Sequence, residues 1–221
     1  LLLSSLPLVM PRLACGSTKI SYNILVSQFK KIAVLIILAA MVWMVLNFDY
    51  VQKNLAFELQ EQSQTPQAID REQIEPNQVH VPFLDISAPI QYAEFVDEEH
   101  FQALLLDGVV HYPGTARAGQ AGNMYIFGHS SDNAWSKGHY KTVFALLPRM
   151  KVGEEIYISD GQGNRFVYKV FETRAVSNND LSVLSQDTSG RKLLTLQTSY
   201  PVGTSLKRYV VVAELVELFL I

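Results

Sequence analysis

The chain has 221 residues, of which 48% are hydrophobic and 10% aromatic, enough for one packed domain with an appendage. Its formal net charge is −3, yet residues 1–31 contain basic side chains and no acidic one, so the acidic excess lies in the remainder. Nucleic-acid binding requires basic residues clustered on a folded surface, and this distribution argues against such a partner. The lone cysteine, Cys15, excludes an internal disulfide.

An apolar segment near the start of the chain predicts a membrane anchor. Residues 32–46 form an unbroken run of apolar side chains that follows Lys30 and Lys31. As a helix the run is somewhat shorter than the ~30 Å hydrocarbon core, but lysine stems can snorkel toward the headgroups. Since no small-x-small cleavage pattern follows, a retained anchor is favoured over a cleaved signal peptide or a core helix of a soluble domain. The basic side stays inside, so 1–31 is predicted to be cytoplasmic and 32–48 to span the membrane.

A glutamine-rich segment, 49–78, predicts a linker between the anchor and a folded domain. Its first part, 51–62, can continue as a helix, and the composition after Ser63 is that of a tether. From about Val79 onward the chain shows short apolar stretches separated by turn residues, which is typical of strands. A domain is therefore predicted over 79–217.

The predicted elements of this domain are mostly strands. In chain order they are strands at 80–86 and 88–92 separated by Ser87, a helix at 97–105 capped by Asp97, a strand at 123–127, helical turns at 142–147 halted by Pro148, a hairpin formed by 154–159 and 165–173, and strands at 193–198 and 209–216. Seven or eight strands with few helices predict a closed or nearly closed β-barrel.

Three polar residues at strand ends are the candidates for chemistry. His129 follows the strand 123–127, Ser199 closes the strand 193–198, and Arg208 lies nine residues after Ser199. If the last two strands pair antiparallel, this offset returns Arg208 to the neighbourhood of Ser199. A nucleophile position, a titratable imidazole and a fixed cation would then share one mouth of the barrel.

The motifs around these residues resemble those of sortases, which are membrane-anchored cysteine transpeptidases that join proteins to the cell wall or to each other. T-L-Q-T-S at 195–199 resembles the strand end that holds the sortase nucleophile, where the family pattern reads roughly T-L-x-T-C. F-G-H-S at 127–130 resembles the histidine motif, and K-R-Y-V-V-V-A at 207–213 resembles the arginine strand. The resemblance covers about 79–217 and implies a mostly β, eight-stranded sortase barrel with short helices, preceded by an N-terminal transmembrane helix.

The resemblance also implies roles and partners. His129 would be the acid/base that protonates the leaving amine, Ser199 the nucleophile position, Arg208 the oxyanion partner and Thr198 a substrate contact. The implied partners are a sorting-signal peptide of secreted or surface proteins and an amine acceptor, such as a cell-wall peptide or a pilin lysine. The protein would be a single-pass cell-membrane protein with an extracellular catalytic domain. The remaining histidines show no metal-ligand spacing, so neither a metal nor a cofactor is predicted.

At Ser199 the chain departs from the family pattern at the reacting atom. A thiol with a pKa near ~8.5 is a few per cent thiolate at neutral pH, whereas a serine hydroxyl needs an oriented base. We therefore expect Ser199 to react far more slowly than a cysteine at this position. An engineered Cys→Ser substitution, an active natural serine variant and a natural pseudoenzyme all fit. The alternatives to an enzyme are a non-catalytic sortase-fold module that binds peptide or assists assembly at the cell surface, and a tethered β-domain without a groove.

Overall fold

The computed structural model describes residues 17–63, 75–131 and 138–220 and divides the chain into two compact units, with the boundary between Val45 and Leu46. Helix α1 (Ser17–Leu46) belongs almost wholly to the first unit. Within the described ranges, one helical segment, Val26–Leu46, is long and apolar enough to cross a membrane, and none of it is buried in protein. An N-terminal apolar helix is thus present. Its insertion in a membrane stays a prediction, and so do the boundaries of the cytoplasmic segment, the anchor and the linker at residues 31, 48 and 78.

The second unit begins with helix α2 (Phe48–Ser63), which confirms the helix predicted over 51–62. One face of α2 packs on the barrel. Phe57 is only 8% exposed and its ring meets Phe83 edge-on, with centroids 5.4 Å apart. Glu58 on the same helix forms an ion pair of 2.7 Å with Arg149. Of the rest of the predicted tether, residues 64–74 lie outside the described part of the chain.

Eight strands close into a barrel, as the predicted fold class requires. They are β1 (Gln78–Val81), β2 (Ile86–Tyr92), β3 (Val109–His111), β4 (Gly122–Phe127), β5 (Glu155–Ser159), β6 (Arg165–Ser177), β7 (Lys192–Tyr200) and β8 (Lys207–Phe219). Their order around the barrel is β1-β2-β3-β4-β7-β8-β6-β5. The β2–β3 and β4–β7 pairs are parallel and the others antiparallel. In the described ranges, helix α3 (Glu98–Leu105) and the 3₁₀ helices Pro82–Leu84, Leu147–Arg149 and Leu181–Leu184 lie between strands.

Alternation along the strands separates an interior face from an outer face. Met124 and Ile126 of β4 and Leu194 and Leu196 of β7 are completely buried in the interior core. The residues between them therefore face outward, and the same alternation turns Ser199 to the outside. The barrel wall formed by β4, β7 and β8 thus separates the interior core from an outer face that carries an apolar cluster around Tyr125 as well as Gln197 and Ser199.

Local signals were mostly interpreted correctly. Asp97 caps α3 by accepting a hydrogen bond of 2.8 Å from the backbone N–H of His100, and β5 and β6 form the predicted hairpin. The break predicted at Ser87 is wrong, because Ser87 lies inside β2 and the chain turns earlier, in the 3₁₀ helix Pro82–Leu84. Pro148 does not halt a helix but lies near the start of the 3₁₀ helix Leu147–Arg149, where its missing N–H is not needed.

Candidate active site

Antiparallel pairing of β7 with β8 brings Ser199 and Arg208 face to face. The two residues are register partners, as expected from their nine-residue separation. The Arg208 Nη1 donates a hydrogen bond of 2.9 Å to the Ser199 Oγ, and both side chains are half-buried. A guanidinium fixed against the hydroxyl is in position to stabilise negative charge that develops next to that oxygen.

Parallel pairing of β4 with β7 brings His129 to the same level. Phe127 is the register partner of Gln197, and the Gly128 N–H donates to the Gln197 carbonyl at 3.1 Å. His129 is half-buried and follows the end of β4 by two residues, and Ser199 follows Gln197 by two residues on β7, so the chain at His129 lies near the end of β7 that holds Ser199. The three predicted site residues therefore gather at one end of the barrel, while their catalytic roles stay predictions.

The backbone around His129 is held by the segment 142–147. The Phe144 N–H donates to the His129 carbonyl at 2.9 Å. Gly128 sits against this segment so closely that a Cβ there would lie 2.8 Å from the Phe144 Cδ2 and 3.0 Å from the Val143 Cγ1. The glycine in the histidine motif is thus required by packing, and it lets the chain pass over the Phe144 ring directly before His129.

Thr198 has a different environment from the one predicted for it. Its side chain is completely buried, on the opposite face of β7 from Ser199, and its Oγ1 donates to the Gly128 carbonyl at 2.9 Å. A substrate contact would have to use its main chain, because the side chain is not accessible. The hydroxyl instead ties β7 to the residue that precedes His129.

The loops flanking the site are also connected. The Gly203 N–H, in the loop between β7 and β8, donates to the Ser131 Oγ at 3.0 Å. Ser131 lies two residues after His129, so the loop that joins Ser199 to Arg208 is linked to the loop that follows the histidine. The next residues, 132–137, lie outside the described part of the chain.

Two further polar residues on the outer face, Tyr125 and Gln197, were missed by the sequence reasoning. The Tyr125 hydroxyl donates a short hydrogen bond to the Gln197 Oε1. Burial raises the pKa of Tyr125, against the opposing effect of the Arg208 charge, so the phenol stays protonated. The alternation of side chains along a strand could have revealed them. Tyr125 precedes His129 by four residues and Gln197 precedes Ser199 by two, so the alternation predicts each on the same face as its site residue.

His111, one of the remaining histidines, serves the fold. His111 is 4% exposed, and its Nε2 lies 2.9 Å from the Ala116 carbonyl and 3.1 Å from the Thr115 Oγ1. Burial lowers the pKa of this imidazole. Among the residues that the structure describes, no three His, Cys, Asp or Glu side chains group as a metal site would require.

Comparison with known proteins identifies the family to which this barrel belongs. A family model for the sortase domain matches residues 79–216, so the chain belongs to the sortase family. The comparison with curated proteins found no match.

Among solved structures, the chain is similar to Streptococcus agalactiae sortase C1, with 22% identity and a TM-score of 0.53 over 63% of this chain and 66% of that one. It is also similar to a Clostridium perfringens sortase D5 transpeptidase, with 25% identity and a TM-score of 0.51 over 66% and 84%. Sortase A from Corynebacterium diphtheriae matches with 26% identity and a TM-score of 0.52 over 63% and 60%. The chain thus spans just under two thirds of the length of sortase C1. The resemblance and the sortase-like barrel are confirmed.

Proposed function

We propose that the protein is a membrane-anchored, sortase-type acyl transferase that cleaves a peptide sorting signal and passes the acyl group to an amine or to water. The observation that carries this proposal is the hydrogen bond of 2.9 Å between Arg208 Nη1 and Ser199 Oγ. In the proposal His129, which follows the neighbouring strand β4, is the acid/base. The family match over residues 79–216 supports it.

The proposed reaction uses only Ser199, His129 and Arg208 of the protein. The Ser199 oxygen attacks the scissile carbonyl carbon, and the hydroxyl proton passes to His129. The Arg208 guanidinium stabilises the oxyanion that forms. His129 then delivers the proton to the departing amine as the C–N bond breaks, which leaves an ester on residue 199. An incoming amine or water displaces the ester and restores the hydroxyl.

The proposed partners and location follow from the family and from the apolar helix. The acyl donor is a sorting-signal peptide of secreted or surface proteins, and the acceptor is a cell-wall peptide or a pilin lysine. The helix Val26–Leu46 anchors the chain in the cell membrane, and the barrel lies outside the cell, since the basic residues precede the helix.

A second candidate function is a non-catalytic module that binds peptide. It is favoured by one observation: in the described ranges of the chain, the Ser199 hydroxyl makes its hydrogen bond with Arg208, and Arg208 can only donate. A serine without a base in contact is a weak nucleophile. The Ser199 form would then hold a peptide at the barrel mouth without cleaving it.

The test compares the full-length chain in detergent with its Ser199→Cys variant. Both are incubated with a library of fluorescent hexapeptides, and the adduct on residue 199 is measured by intact-protein mass spectrometry. We expect the variant to form a thioester quickly and the parent chain to form an ester slowly. Ser205→Cys is the matched control, because it adds a thiol at an exposed position of the β7–β8 loop, and Cys15 of the parent chain reports background thiol reactivity.

Each outcome decides between the candidates. Acylation of both forms at residue 199 supports an active serine enzyme. Acylation of the Ser199→Cys variant alone means that the parent chain is an inactivated transferase. If the variant reacts no faster than the Ser205→Cys control, the enzyme hypothesis fails, and peptide binding without an adduct then favours the module.

A further inference from the structure

Gln197 occupies the outer-face position next to the reacting residue. It lies two residues before Ser199 on β7, so both side chains leave the strand on the same side, roughly 6.7 Å apart. Gln197 is half-buried, and its neighbour across the parallel pair is Phe127 of β4. A ligand that reaches Ser199 along this face of the strand must pass Gln197.

The side-chain amide of Gln197 is held in one orientation. The Tyr125 hydroxyl donates to its Oε1, and Tyr125 is itself only 3% exposed. The tyrosine ring is fixed in a cluster with Val176, Val183 and Val210. Because a buried phenol in a packed cluster has little freedom, the amide oxygen is pinned and the position of the amide nitrogen follows from it.

The pinned amide keeps two N–H donors for another molecule. Within the described part of the chain, the Gln197 Nε2 makes no hydrogen bond to another residue. A half-buried amide nitrogen that lacks a protein partner is satisfied by solvent or by a ligand. The group that it can bind must be an acceptor, such as the carbonyl oxygen of a peptide.

We propose that Gln197 is a substrate-positioning residue, whose amide, oriented by Tyr125, donates a hydrogen bond to a main-chain carbonyl of the peptide bound at Ser199. This inference rests on the proposed function and adds a contact to it. In an extended peptide, alternate residues are about 6.7 Å apart, the same spacing as Gln197 and Ser199 on the strand. When the scissile carbonyl lies at Ser199, a carbonyl two residues away therefore reaches Gln197.

A purely structural role is the competing explanation, in which Gln197 only satisfies the buried Tyr125 hydroxyl. The two explanations separate in the Gln197→Glu variant. A carboxylate still accepts the hydrogen bond from Tyr125, so the structural role is kept, but it has no N–H to donate to a peptide carbonyl. Only the positioning role therefore predicts weaker use of the peptide.

The experiment measures peptide cleavage by the full-length Ser199→Cys chain in detergent, with the best-cleaved hexapeptide of a fluorescent library as the probe. We expect Gln197→Glu and Gln197→Met to raise KM about 3- to 10-fold at pH 7.5, with kcat changed less than twofold, since the lost bond serves binding. Tyr125→Phe should raise KM about 2- to 4-fold, because the amide loses its orientation. Gln162→Met, in the turn between β5 and β6, is the matched control and should change neither constant.

Acidification supplies a rescue that a structural role does not predict. At a pH low enough to protonate the carboxyl of the Gln197→Glu variant, its O–H can donate to the peptide. The ratio of its KM to that of the Ser199→Cys chain should then fall toward one, while the ratio for Gln197→Met stays constant.

The inference and the proposed function fail in different ways. If the Ser199→Cys chain cleaves the probe and Gln197→Glu cleaves it with the same KM, the positioning role is overturned and the transferase stands. If melting temperature falls in Gln197→Glu along with kcat, while KM stays constant, the role is structural. If no hexapeptide of the library is cleaved by the Ser199→Cys chain, the proposed function fails and this inference with it.

Discussion

Replacing Thr198 by valine tests how the site is held together. Valine has nearly the shape of threonine, so the buried side chain stays packed, but the hydrogen bond of 2.9 Å from Thr198 Oγ1 to the Gly128 carbonyl is lost. That bond connects β7 to β4 immediately before His129. We therefore expect Thr198→Val to affect both the stability of the barrel and the alignment of His129 with residue 199.

The size of the effect follows from burial. Thr198 is 0% exposed, so the Gly128 carbonyl has no solvent to replace the lost donor. An unsatisfied buried acceptor costs about 1–3 kcal/mol. In a unit of this size each kcal/mol lowers the melting temperature by about 2–4 °C, so a loss of about 2 kcal/mol lowers it by about 4–8 °C. A shift of His129 of about 1 Å reduces a positioned reaction as much as about 100-fold.

Thermal unfolding by circular dichroism and the rate of peptide cleavage are both measured, the latter in the Ser199→Cys background. Ser159→Ala is the control, because Ser159 is equally buried and accepts a hydrogen bond of 2.9 Å from the Gln78 N–H, but lies on β5, which is not adjacent to β7. We expect both variants to melt earlier and only Thr198→Val to lose at least 10-fold in cleavage rate. Equal loss of activity in the two variants would refute the alignment argument.

Three further perturbations follow from the packing. Phe57→Ala should destabilise the unit by about 3–5 kcal/mol in denaturant unfolding, because it empties the contact of α2 with the barrel. Gly128→Ala should cost about 1–3 kcal/mol by the same measurement and slow cleavage by the Ser199→Cys chain, because its Cβ would lie 2.8 Å from the Phe144 ring. Burial lowers the pKa of His111 in the folded protein, so the unfolded chain binds a proton at this histidine first as the pH falls through about 6.5. Acidification therefore favours unfolding. The melting temperature should decline from pH 7 to 5 less steeply in His111→Gln than in the parent chain.

Each of these has a matched control in the chain. Leu59→Ala, at an exposed position of α2, should change stability by less than about 0.5 kcal/mol. Gly161→Ala meets only the Asn77 side chain, at 3.3 Å, and should be tolerated. His139→Gln, at an exposed position, should leave the pH slope unchanged. If an alanine at 161 is as harmful as one at 128, or if His111→Gln keeps the full slope, the corresponding argument is wrong.

The local elements could be predicted from short stretches of sequence. Asp97 at the start of α3, and the glycine-rich turn between β5 and β6, act over a few residues and were recognised from the sequence. The position of Arg208 opposite Ser199 was also predicted, because an antiparallel hairpin converts a sequence offset directly into a register. The alternation of side chains along a strand already predicts that the side chain of Thr198 points away from Ser199, because the two residues are adjacent on one strand.

Long-range pairing needed the tertiary structure. Nothing in the strand at 123–127 says that it pairs in parallel with the strand at 192–200, yet this pairing brings the end of β4, which His129 follows, to the end of β7 that holds Ser199. The hydrogen bond from Tyr125 to Gln197 depends on the same pairing. The packing of Phe57 against Phe83 likewise joins α2 to a segment beyond the linker, a contact that local sequence patterns do not reveal.

By itself, then, the sequence determined the kind of elements, the apolar helix, the sortase motifs and the β7–β8 hairpin, because each of these depends on periodicity, turn chemistry or composition within a short stretch of chain. Only the tertiary structure decided which strands pair outside the β5–β6 and β7–β8 hairpins and which side chains from different strands meet on the outer face. The physical reason is that parallel pairing joins segments about 70 residues apart, as from Gly128 to Thr198, and such pairing is selected by the packing of the whole barrel.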